Sequence, residues 1–162
     1  MGDKPSYDIT VTVLDDAAST AKRPRIDPVP LSCAIEAALR RHSVCRACIG
    51  LAVADDNEMA RLNRAHLDHE GPTDVIAFDM RDNVESDEVE GEIIISAETA
   101  VREAEARGHD PAAELALYAV HGVLHLLGYD DHGDEQAERM HEVEDEILGS
   151  VGLGPVYGAA RR

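Results

Sequence analysis

Aromatic residues are nearly absent from this 162-residue chain: there is no Trp, one Phe, and aromatics total 3%. A surface that stacks successive bases needs several exposed rings, so this scarcity argues against a stacking platform for nucleic acid. Cysteine is rarer still, limited to Cys33, Cys45 and Cys48. Three thiols make no disulfide framework and fit a reducing compartment. Cys45-Arg-Ala-Cys48 has C-x-x-C spacing but no second pair beside it, so both thiols read as packing residues flanking a strand. There is no long uncharged apolar tract, which argues against a membrane span. A charged-then-apolar leader is also missing, so the expected location is cytoplasmic. Basic residues are outnumbered, 15 Lys and Arg against 33 Asp and Glu, for a net charge of −18. That balance is awkward for binding a polyanion.

The deficit is uneven. Residues 21–64 hold Lys22, Arg23, Arg25, Arg40, Arg41, Arg46, Arg61 and Arg64 against Asp27, Glu36, Asp55, Asp56 and Glu58. A local basic face can bind phosphate on an acidic protein, because salt screens charges more than ~10 Å away. The competing reading is a set of scattered, solvated arginines.

Hydrophobic content of 44% supports a packed core. Neither a repeat nor a linker divides the chain, so residues 1–150 read as one domain, with residues 151–162 a flexible tail loosened by Gly and Pro. Alternation and β-branching predict strands at 7–14, 47–54, 74–79 and 91–96, with an acidic loop at 81–90. Amphipathic spacing predicts helices from 28 or 31 to 41 (Leu31, Ile35, Ala38 and Leu39 inward) and 57–66 (Met59 and Leu62 inward, Asp55-Asp56 capping). Further helices are predicted at 97–107, 112–127 and 134–148, the last with Ala137, Met140, Val143 and Ile147 inward and its acids outward. The fold class is therefore α+β (α/β-like), a single domain with one small four-stranded sheet covered by about five helices.

The helix at 112–127 carries the chemistry. It is apolar all round, as a buried helix is, and holds His121 and His125 at i and i+4 on one face. Gly128 stops it, and Tyr129, Asp130, Asp131 and His132 follow. Two imidazoles on a rigid helical turn plus a third ligand from the next loop make a three-ligand metal site with a position left open, as in catalytic zinc. A single histidine there would read as a satisfied core residue; burying two without partners is costly. In the H-E-x-x-H peptidase motif the residue after the first histidine is the general base, but here it is Gly122.

His121-Gly122-Val123-Leu124-His125-Leu126-Leu127-Gly128-Tyr129-Asp130 resembles the H-G-x-L-H-L-x-G-Y-D-H signature of the YbeY family, metal-dependent endoribonucleases that mature ribosomal RNA. Leu62-Asn63, Pro72-Thr73-Asp74-Val75-Ile76-Ala77-Phe78 and Gly91-Glu92-Ile93-Ile94-Ile95-Ser96 resemble further family segments, in the family's order. The resemblance spans residues 7–150 and implies a mixed sheet, with the last two strands forming a floor beside one Zn²⁺ per chain. It places the third histidine at Asp131, with His132 one residue later. Either side chain suits zinc, and the family's ligand chemistry favours His132. The family's arginine falls at Leu67, a lysine position at His69 and the strand serine at Ala77. Arg61 and Arg64 are candidates to replace the arginine, while His66 and His69 read as surface residues. Without a dedicated carboxylate base in the motif, metal-bound water has to be its own base, or use Asp130 or Glu92 if the fold brings one close. By resemblance the substrate is single-stranded RNA, the 3′ end of small-subunit ribosomal RNA, and the partners are the small ribosomal subunit and its assembly factors. The alternatives are a zinc peptidase or amidase, and a non-catalytic assembly factor with a structural metal.

Overall fold

The computed structural model describes residues 2–14, 26–66, 74–83 and 85–157, with the side chain of His66 set aside. Leu67, His69, Pro72, Thr73, Lys22, Arg23, Arg25 and residues 158–162 lie outside this range. Strands β1 (Ser6–Val13), β2 (Arg46–Ala54), β3 (Val75–Asp79) and β4 (Glu88–Ser96) form one sheet in the order β1-β2-β4-β3. β1 and β4 each run parallel to β2, and β3 runs antiparallel to β4. The helices are α1 (Pro28–Arg41), α2 (Asp56–His66), α3 (Ala97–Arg107), α4 (Pro111–Leu126) and α5 (Asp134–Ser150). The mixed four-stranded sheet and five helices match the α+β expectation.

Alternation sorts the sheet into two faces. Ile49, Leu51 and Val53 of β2 and Val89, Ile93 and Ile95 of β4 join the main core with α1, α4 and α5. On the opposite face Ala54, Ile76, Phe78 and Ile94 pack with Met59 and Leu62 of α2. Asp55 caps α2, its carboxylate accepting from the Glu58 N–H at 2.8 Å. Asp56 then ties α2 to α3 through Ser96, Thr99 and Arg102.

α4 is the central element, packed against α1, α3, α5, β3 and β4. Its Asp110 caps the start, with Pro111 in the first turn. Gly122 faces the sheet so closely that a Cβ there would stand 2.5 Å from Ile93 Cγ2. Gly91 gives the same clearance to Leu126. Small residues at these two positions let helix and strand approach.

Three expectations are corrected. β4 begins at Glu88, so residues 88–90 of the expected acidic loop extend the ladder opposite Arg46–Cys48. Residues 151–157, expected to loosen into a tail, fold back on α5. Val156 is buried there, and Asp145 accepts the Val156 and Tyr157 N–H groups. Cys45 and Cys48 are exposed rather than packed, Cys48 because the pleat turns it to the solvent face of β2.

Gly122→Ala is expected to destabilise the fold by about 1–3 kcal/mol through overpacking against Ile93. Denaturant unfolding checks this; wild-type stability in the variant refutes the close-approach argument.

Candidate metal centre

The last turn of α4 closes with two hydrogen bonds, Gly128 N–H donating to the His125 carbonyl and Tyr129 N–H to the Leu124 carbonyl. Gly128 takes the left-handed conformation this ending requires, with φ at 97°. The turn sends the chain back over the helix. Tyr129 is then held twice: its hydroxyl meets Nε2 of His42 at 2.8 Å, and its carbonyl meets Nδ1 of His125 at 3.1 Å.

A carbonyl only accepts, so His125 carries its proton on Nδ1 and leaves Nε2 bare. His121 is fixed in the same way. Its Nδ1 lies 2.6 Å from Oε1 of Glu144, a carboxylate on α5 with no exposed surface. The two Nε2 atoms face each other at 2.9 Å, and Oδ2 of Asp131 stands 3.6 Å from one and 3.9 Å from the other. Two neutral imidazoles oriented like this put lone pairs face to face, which a shared proton or a cation resolves. The donor atoms are those zinc takes, and their separations bracket the ~3.3 Å edge of a tetrahedral site with ~2.0–2.1 Å bonds. His121, His125 and Asp131 therefore fit a metal ion.

His132, the favoured third member, is turned away from the pair. Its side chain is 90% exposed and its Nδ1 pairs with Asp130 instead of facing the two histidines. That pairing occupies Asp130 as well and lowers its pKa through the His132 hydrogen bond. Glu92 is displaced further. It covers Gly50 on one face of the sheet, whereas its neighbours Gly91 and Ile93 face α4 on the other. Neither acid approaches the histidine pair as a base.

Arg61 and Arg64 lie on α2, across the sheet from the core that holds α4. Arg61 pairs with Glu58 at 2.5 Å and Arg64 is exposed. No hydrogen bond or ion pair among the described residues joins either to His121, His125 or Asp131. Arg40, Arg41 and Arg46 pair with Glu36, Glu146 and Glu88. Among the described residues the basic stretch is thus dispersed over separate elements and answered locally by acids.

Sequence reasoning missed Glu144, because the acids of α5 were all taken as outward-facing. The signal was present: Met140, Val143, Glu144, Ile147 and Leu148 form one buried stripe at helical spacing. It also missed Arg81, whose guanidinium holds Asp79 and donates to the Leu126 carbonyl at 2.9 Å, bracing the end of α4.

Burial, the largest influence on His121, opposes its charged form. The hydrogen bond and charge of Glu144, with Asp74 and Asp131, outweigh it and raise the pKa above 6.5. In the metal-free protein the pair therefore contributes stability that is complete below pH 6.5 and fades as pH rises through the raised value. Glu144→Gln should lower the His121 midpoint in an NMR titration. An unchanged midpoint refutes the pairing.

Residues 30–152 match the family model described as Endoribonuclease YbeY. The chain is 41% identical over 105 residues to the Endoribonuclease YbeY of Carboxydothermus hydrogenoformans, covering 65% of this chain and 73% of that protein. To the protein of the same name in Macrococcus caseolyticus it is 33% identical over 153 residues, covering 90% and 97%. A solution structure from Thermotoga maritima shares the fold, with a TM-score of 0.58 at 19% identity over 92% of this chain and 95% of that one. With the histidine pair, its loop and both supporting strands inside the matched span, the chain belongs to the YbeY endoribonuclease family.

Proposed function

We propose that this protein is a zinc-dependent endoribonuclease that cuts single-stranded RNA at the His121–His125–Asp131 centre. The observation that carries the reading is the orientation of both imidazoles: each Nδ1 is engaged, and each Nε2 turns toward Asp131. Relatives named endoribonucleases support the reaction class. Three ligand groups leave room for substrate, which separates a catalytic site from a closed structural one.

A bound zinc ion supplies Lewis acidity toward a phosphoryl oxygen. The chain's own residues do the rest. Glu144 and the Tyr129 carbonyl lock the imidazoles, and such supporting partners are worth about 10–100-fold in metal affinity. Gly122 disfavours the peptidase reading, since the space a glutamate would need is filled by Ile93. The physiological substrate we assign is ribosomal RNA at the 3′ end of the small-subunit species, acted on with the small ribosomal subunit and its assembly factors. The scarcity of aromatics and the dispersed arginines fit specificity supplied largely by that assembly. Among the described residues no helix is long and apolar enough to cross a membrane.

One zinc per chain is expected by elemental analysis, with loss of metal in His121→Ala/His125→Ala. Asp131→Ala should lower zinc affinity more than His132→Ala does; the reverse order restores His132 as the ligand. Cleavage of a single-stranded oligoribonucleotide should stop with EDTA and in His125→Ala, at unchanged helical content. Activity persisting undiminished in that variant refutes the assignment.

A further inference from the structure

A cavity of about 360 Å³ opens beside His121, between α3, α4 and the C-terminal segment. His121 borders it, whereas Asp131 and His125 do not, so the cavity adjoins the metal cradle without being enclosed by it. Its size falls in the range of small-molecule pockets and suits one nucleotide unit. The chain has four tyrosines, and two of them, Tyr118 and Tyr157, line this wall.

Tyr118 is 3% exposed, and among the described residues its hydroxyl makes no hydrogen bond of normal geometry, although the Glu114 carboxylate lies near it. A buried hydroxyl without a well-aligned bond is unfavourable, and in a pocket wall it is free to donate to a polar group that a ligand brings. The surrounding charges indicate what kind. Arg102 is tied to Asp56 at 2.7 Å and to Thr99 at 3.0 Å. Arg107 lies over the Tyr157 ring at 5.6 Å, with longer ion pairs to Glu103 at 3.4 Å and Glu114 at 3.6 Å. Asp74 adds a further carboxylate to the wall. Each guanidinium is already answered by acids, so the pocket has donors and acceptors but no surplus positive charge. That suits a neutral polar group and not a free anion. Arg107, with the longest pairs, is the part of the wall that can swing aside, as side chains commonly do on binding.

Tyr157 lies beyond residue 152, where the family match ends. Its ring stacks on His141 at 3.8 Å, and its backbone is held by Asp145. This wall is therefore built and fixed.

We propose that the cavity is a nucleoside subsite, taking the nucleoside next to the cleaved linkage, with the Tyr118 hydroxyl donating to its base or ribose and Tyr157 closing the wall. The inference rests on the endoribonuclease reading above. Its test is Tyr118→Phe, assayed as the purified metal-loaded protein on a fluorescent single-stranded oligoribonucleotide. Loss of one neutral hydrogen bond made equally in ground and transition states should raise KM about three- to tenfold and leave kcat within about twofold. The thermal midpoint should change little, because among the described residues the hydroxyl makes no well-aligned hydrogen bond. Arg107→Gln should likewise raise KM, and added inorganic phosphate should not compete. An unchanged KM in a folded Tyr118→Phe variant overturns the subsite alone. Phosphate competition that disappears with Tyr118→Phe overturns the nucleoside assignment in favour of an anion site. A wild-type protein that neither binds nor cuts the oligoribonucleotide overturns the endoribonuclease reading itself, before any variant is compared.

Discussion

Two imidazoles one turn apart on a buried helix have four ring nitrogens to satisfy, and this protein satisfies only two of them from within. Glu144 takes one Nδ1 and the Tyr129 carbonyl takes the other. The remaining pair converge at 2.9 Å with Asp131 beside them. Much of the surrounding structure serves that arrangement. α5 delivers Glu144, the glycine turn after α4 returns Tyr129, and His42 at the end of α1 holds the Tyr129 hydroxyl.

The sheet enters through close approach. Gly122 and Gly91 let α4 lie on β4 without intervening side chains. The same contact removes the position a neighbouring general base would occupy. One packing requirement therefore fixes the helix and keeps a carboxylate base from standing beside His121 on α4.

Charge places a second limit. The described arginines of residues 21–64 lie on α1, β2 and α2, and four of the five pair with nearby glutamates. Long-range attraction of a polyanion is weak on such a surface. Short-range contacts at the site then matter more, in a cavity lined by His121, Tyr118 and Tyr157.

The sequence by itself determined the local elements and the family. Hydrophobic period, caps and glycine stops place four strands and five helices, because those signals act over a few residues. The i, i+4 histidines are legible for the same reason, their spacing fixing a shared helical face. Tertiary structure decided what depends on distance in space. It set Asp131 beside the imidazoles and left His132 to Asp130, because the turn at Gly128 decides which loop side chain faces the pair. It turned Glu92 to the far side of the sheet through the pleat, and it set Arg61 and Arg64 on the helix across that sheet. It also brought Glu144, 23 residues from His121 in sequence, into a buried pair with it. Helical spacing marks Glu144 as inward-facing, but only the packing of α5 on α4 names its partner.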